Sequence, residues 1–167
     1  MPELQRLRAD HASALLAFEL ANRAYFASSI PDRGDDFFSN FDDRHAGLLA
    51  EQDSGACAFH VLVGDDGAIL GRFNLFDLED GTAKLGYRVA ETAAGHGVAT
   101  TAVRDLCRLA TAQYGLRRLM AATTHDNVAS QRVLAKTGFV PVGPADLSTG
   151  PGTWYQLALT QAEPSSR

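Results

Sequence analysis

Between Leu85 and Tyr114 the hydrophobic period changes, and that change limits the possible folds more than any other feature. Leu85, Tyr87 and Val89 share one strand face, with Lys84, Gly86 and Arg88 on the other. From Val98 to Tyr114 the apolar residues Ala102, Val103, Leu106, Leu109 and Ala110 recur at helical spacing instead. Gly115 stands where a left-handed C-cap is wanted. Gly95 and Gly97 lie in the turn between the two patterns. A strand that runs through a glycine turn into a long helix needs a sheet to its side and a return strand beyond.

Both are present. Phe59 to Val63 and Ala68 to Phe76 flank the turn Asp65-Asp66-Gly67, and Glu79-Asp80-Gly81 leads into Ala83 to Val89. Such short turns make antiparallel neighbours. After the long helix, Arg118 to Thr124 reads as a strand, and Asp126 or Asn127 caps a helix that runs to Thr137 and closes at Gly138. Phe139 to Val142 and Thr153 to Leu159 supply the last strands. Upstream, helical spacing covers Leu4 to Leu20 and Phe37 to Ala50, separated by the loop chemistry of Ile30 to Asp35. The expected class is a mixed α/β sheet, mostly antiparallel with one strand–helix–strand crossover. One domain over 1–160 and a flexible tail over 161–167 complete the reading.

Composition narrows the function. The chain has 167 residues and a formal net charge of −5, which speaks against a nucleic-acid surface, since that needs a basic patch. Nothing approaches a membrane-spanning apolar run, and the start lacks a leader pattern. Cys57 and Cys107 have no metal spacing and read as buried small residues, and the five histidines have none either. A cytoplasmic protein without a metal is expected. Asp32, Asp35, Asp36, Asp42 and Asp43 cluster early, as solvated loops or as an acidic mouth that draws a cationic amine.

Glycines at the start of a helix bring unpaired N–H groups and a partial positive charge to one point, which suits a phosphate or pyrophosphate. A dinucleotide fingerprint wants a small residue where Thr100 stands, and the Walker pattern lacks its Gly-Lys-Ser/Thr ending. The loop alone selects no ligand.

Two motifs together do. Ala94-Gly95-His96-Gly97-Val98-Ala99 resembles the Arg/Gln-x-x-Gly-x-Gly/Ala acetyl-CoA loop of the GNAT superfamily of N-acetyltransferases, departing from it at Ala94. Asp126-Asn127-Val128-Ala129-Ser130 through Gly138-Phe139 resembles the Asn-x-x-Ser helix of its ribosomal-protein (RimJ/RimL-type) branch. Likeness continues through Gly71 to Leu75, Leu85-Gly86-Tyr87 and Phe18 to Arg23. The resemblance implies a GNAT-like sheet splayed at one parallel strand pair, where acetyl-CoA enters. It implies direct transfer of acetyl to an amine in a ternary complex, by a monomer or homodimer.

Residue by residue, the resemblance assigns cofactor binding to Ala94, Gly95, His96, Gly97, Val98, Ala99 and Thr100 at the pyrophosphate. It assigns Tyr87, Arg88 and Val89 to the pantetheine arm, through main-chain pairing. Asn127 contacts that arm, and Ser130, one turn on, donates a proton to the leaving thiolate; these two are the catalytic candidates. Lys136, with Arg132, meets the outer phosphate. The acceptor amine must be neutral, and an α-amine with pKa about 7.7–8.0 is roughly a tenth neutral at pH 7. Glu19, Glu79, Glu91 and His125 are base candidates, while Lys84 stands where the branch often has Glu. Asn74 and Trp154 are candidate linings of the acceptor pocket. The acceptor is expected to be a protein N-terminus, with a polyamine or antibiotic amine, or a non-catalytic acyl-CoA sensor, as alternatives; a dinucleotide-binding reductase is a further class.

Overall fold

Each short turn makes the hairpin its chemistry demands. β2 (Ala58–Val63), β3 (Ile69–Glu79) and β4 (Thr82–Val89) run antiparallel in a computed structural model that describes residues 1–159. The tail expected over 161–167 lies outside the described residues. β4 is followed by α5 (Val98–Ala112), β5 (Arg118–Thr124), α6 (Val128–Lys136), β6 (Val140–Leu147) and β7 (Gly150–Ala158). With β1 (Glu3–Arg6), the seven strands form one sheet in the order β1-β2-β3-β4-β5-β7-β6. Among the described residues, only β4 and β5 pair in parallel. The mixed, mostly antiparallel class expected from the turn pattern is what forms.

Alternation along the strands builds two cores. Phe73, Leu75, Leu119 and Ala121 point to the side covered by α5 and α6, and join Val103, Leu106 and Leu134 there. Phe59 and Val61 point to the other side, where Leu15, Phe18, Phe26, Phe37 and Phe41 meet them. These last come from α1 (Ala12–Ala21), α2 (Arg23–Ala27), α3 (Asp35–Ser39) and α4 (Phe41–Asp53). Phe73, Leu15 and Leu106 are fully enclosed, and burial of such a side chain contributes about 1.5–3 kcal/mol.

Two helical expectations need correction. The helix expected from Leu4 begins only at Ala12, because residues 3–6 pair along the β2 edge, from Glu3↔Val63 to Arg6↔His60. Four residues carry too little period for a strand to show, and the waiting backbone edge decides. The helix expected over Phe37–Ala50 is broken at Asn40 (φ −111°, ψ 28°). The Asn40 amide donates to the Asp36 carboxylate at 2.7 Å and to its carbonyl at 3.2 Å, local bonding that competes with a continuous helix.

The feature that positions the site is the parallel pair. Its register runs only Thr82↔Arg118, Ala83↔Leu119 and Lys84↔Met120. Beyond Lys84, β4 stays with β3 while β5 follows β7. One edge of β4 is therefore left without a strand partner from Leu85 to Val89.

Candidate active site

A cleft of about 460 Å³ opens where β4 and β5 part. Its lip is the turn into α5. Gly95 (φ +79°) and Gly97 (φ +74°) are left-handed, a conformation costing other L-residues roughly 1–2 kcal/mol. A Cβ at either would meet no atom within 4 Å, so the backbone conformation and not crowding calls for glycine. Gly97 is the N-cap, and the first helical bond runs from the Thr101 N–H to its carbonyl at 3.1 Å. Among the described residues, no amide from Gly95 to Thr100 donates to a protein acceptor. Free N–H groups converging on a helix start form an anion cradle.

The residues predicted for cofactor binding and catalysis gather here with one exception, whereas the base candidates and the acceptor-pocket candidates Asn74 and Trp154 do not line the cleft. Tyr87, Arg88, Val89, Ala94, Gly95, Gly97, Val98, Ala99, Thr100, Asn127, Ser130 and Lys136 all line the cleft, as does Arg132. His96 does not; it is exposed at the tip of the turn, and only its backbone belongs to the lip. Asn127 caps α6, its side-chain oxygen accepting from the Ser130 N–H at 3.1 Å. That leaves the Asn127 amide nitrogen free of any protein acceptor among the described residues. Deeper in, the Tyr87 and Ser130 hydroxyls are hydrogen-bonded at 3.1 Å. Burial pushes the Tyr87 phenol above its ordinary pKa, and the bond with Ser130 opposes this in part. The ring is held stacked on Phe73, centroids 5.6 Å apart. Two hydroxyls thus stand protonated beside the unpaired edge of β4.

Residues 3–140 match the family described as Acetyltransferase (GNAT) domain. The chain belongs to the GNAT family of N-acetyltransferases. A relative, the probable N-acetyltransferase YjcK of Bacillus subtilis, is 27% identical over 140 residues, covering 80% of this chain and 77% of its own. Among solved structures, the ribosomal-protein-S5-alanine acetyltransferase of Vibrio fischeri superposes with a TM-score of 0.88 at 20% identity, covering 98% of this chain and 96% of that one. Mycobacterium smegmatis RimJ, in complex with CoA-disulfide, gives 0.82 at 24% identity, with coverages of 93% and 80%. A spermidine N-acetyltransferase SpeG variant from Vibrio cholerae gives 0.75 at 12% identity, with coverages of 94% and 95%. At these identities the structural likeness speaks for the fold alone.

In this GNAT domain the base candidates scatter. Glu79 pairs with Thr82 at the far end of β4 from Val89, seven residues and about 23 Å away at the strand rise. His125 and Glu91 are exposed and line no part of the cleft. Glu19 is buried and bonded by Arg72 at 2.8 Å and Arg33 at 3.0 Å, with Arg88 at 3.6 Å. Burial by itself would raise its carboxyl, but the Arg72 and Arg33 guanidiniums outweigh this and hold it below the usual range. A carboxylate so held is a poor proton acceptor.

The acidic loop expected to draw cations is largely engaged. Arg23 takes both Asp32 at 2.7 Å and Asp35 at 2.8 Å, and Arg44 reaches Asp36 at 3.4 Å. Lys84 pairs with Asp77 at 3.3 Å and lies 5.9 Å from the Trp154 ring, both flanking a separate shallow depression with Met120 and Val142. Asn74 has a buried side-chain oxygen with no partner, opposite Gly86 in the β3–β4 register.

Sequence reasoning missed the wall opposite the lip, made by Tyr25, Phe26, Ser29 and Ile30 at the end of α2. It also missed the arginines around Glu19. One signal was present: Arg72 and Arg88 are directly opposite in the register, and like charges so placed call for a carboxylate between them.

Proposed function

We propose that this chain transfers acetyl from acetyl-CoA to a primary amine, an α-amine such as a protein N-terminus, by direct attack in a ternary complex. The observation that carries the reading is the run of unengaged amides from Gly95 to Thr100 on the lip of a cleft that also holds the Tyr87–Ser130 pair. The amides take the diphosphate, and Arg132 and Lys136 stand near enough on the same wall to face the remaining phosphate. The unpaired edge of β4 at Tyr87 to Val89 accepts the pantetheine arm as a strand would, with the Asn127 amide on its other flank.

The chemistry follows from the two hydroxyls. A neutral amine attacks the thioester carbonyl; a C–N bond forms, the C–S bond breaks, and the thiolate leaves. Ser130, backed by the Tyr87 phenol, gives the thiolate its proton and is reprotonated from solvent, which also takes the proton lost by the amine. Because Glu19 is held by arginines, Glu79 is distant and Glu91 and His125 do not line the cleft, no side chain among the described residues is placed to deprotonate a strongly basic amine. An α-amine, already roughly a tenth neutral at pH 7, needs no such help. The same arginines oppose a polyamine.

Thiol release from acetyl-CoA with a panel of peptide, amino-acid and polyamine acceptors tests this. Peptide or amino-acid α-amines are expected to turn over and polyamines to be poor. Preferred turnover of polyamines would overturn the acceptor assignment, and tight acetyl-CoA binding without turnover on any amine would make the chain a sensor.

A further inference from the structure

We infer that Arg88, supported by Arg33, binds a carboxylate carried by the acceptor a few bonds from its reactive amine; this rests on the amine-acetyltransferase reading above. The starting point is an imbalance. One carboxylate, Glu19, faces three guanidiniums, those of Arg33, Arg72 and Arg88, which leaves two positive charges without a counter-ion at that spot. The neighbouring Asp32 and Asp35 do not make up the deficit, since both are bonded to Arg23.

The three arginines are not equivalent. Arg72 is 7% exposed and donates to Glu19 Oε2 at 2.8 Å; Arg33 donates to Oε1 at 3.0 Å. Arg88 comes no closer to Glu19 than 3.6 Å and donates no side-chain hydrogen bond among the described residues. Its guanidinium carbon lies over the Phe26 ring, 4.7 Å from the centroid, and the side chain remains 21% exposed in the wall of the cleft. Phe26 and Glu19 thus fix a planar, five-donor group while leaving those donors unused. Burial and the repulsion of Arg33 bring its pKa down to about 10, with Glu19 resisting. An incoming carboxylate would relieve both the unmet donors and the repulsion, and bidentate pairing is what this fork favours.

The placement fits the acceptor. Arg88 shares its sheet face with Gly86 and with Asn74, whose buried oxygen has no partner. Asn74 and Arg88 are diagonal neighbours on adjacent antiparallel strands, about 7–8 Å apart at the backbone. Asn74 does not itself line the cleft and its oxygen is closed to solvent, so Arg88, which does line the cleft, is the group that an acceptor carboxylate reaches. A free amino acid and a peptide with an acidic second residue present this chemistry alike.

The test uses isosteric pairs on the full chain: alanine against alaninamide, and Ser-Asp-Ala-amide against Ser-Asn-Ala-amide. The ratio of kcat/KM for acid over amide, each taken per neutral amine because a free carboxylate raises the pKa of its own α-amine, is expected to exceed one by roughly 10-fold or more in at least one pair, the worth of a charge-assisted bond. Which pair discriminates tells amino acid from peptide. Arg88→Gln should collapse that ratio toward one, and Arg88→Lys should restore part of it, whatever either does to overall rate. A ratio near one in both pairs for the unaltered protein, or a ratio untouched by Arg88→Gln, overturns the inference. If no acceptor turns over, calorimetric binding of the same pairs to the CoA-loaded protein reads the ratio directly. Acid-selective binding lost in Arg88→Gln then upholds the carboxylate site while the transferase reading falls; equal binding of acid and amide removes the carboxylate site.

Discussion

The turn at Gly95–Thr100 and the cluster around Glu19 both handle charge, by opposite means. In the turn, backbone amides are left open by local geometry, and no side chain among the described residues fills them. In the cluster, side chains from α1, β3, β4 and the loop after α2 converge on one buried carboxylate. The turn is built by neighbours in sequence and awaits a ligand. The cluster is built by tertiary packing and satisfies the carboxylate at its centre, leaving only the Arg88 donors open. Stability should therefore reside in the cluster, and cofactor affinity in the turn.

The largest effect is expected at the cluster. Glu19→Gln leaves three guanidiniums without their carboxylate and should cost about 3–5 kcal/mol, measured by urea unfolding at pH 7. Because the folded pKa of Glu19 is depressed, its contribution is complete above the unfolded value near 4.5 and is lost as pH falls through the folded value. The gap between the native chain and Glu19→Gln should accordingly shrink below about pH 4.5. A gap that stays constant would break the contrast between the two regions.

Gly97→Val comes next. It forces a β-branched residue to φ +74° and should weaken CoA binding by roughly 100-fold or more, through strain and misdirected amides. Calorimetry reads the loss, and a circular-dichroism spectrum near that of the native chain shows that the cluster and core persist. Ser130→Ala should lower kcat on the order of 10²-fold, with a smaller change in the KM for acetyl-CoA; an unchanged kcat would leave Tyr87 as the donor. The smallest effect is expected for Lys136→Gln, a few-fold rise in the KM for acetyl-CoA that fades at high salt, since exposed charges are screened.

The same contrast explains what could be seen in the sequence. Gly95, Gly97 and the Asn127–Ser130 spacing declare themselves within a few residues, so the lip and the α6 flank were legible. The splay of β4 from β5 followed from the GNAT resemblance and matches the register that ends at Lys84↔Met120. Residues 19, 33, 72 and 88 share nothing local, and only the β3–β4 register brings two of them opposite each other. Likewise β1 was hidden because its pairing depends on the β2 edge, and Tyr25 to Ile30 because a cleft wall carries no periodic mark. His96 lies in the turn as expected, but it is exposed and lines no part of the cleft.

The central claim is that the Gly95–Thr100 amides hold the diphosphate of acetyl-CoA. Backbone amide NMR, titrating the ¹⁵N-labelled chain with CoA and separately with pantetheine, tests it most directly. CoA is predicted to shift the amide resonances of Gly95 to Thr100, while pantetheine moves those of Tyr87 to Val89 and leaves the turn unmoved. CoA binding that leaves the turn resonances in place would contradict the account.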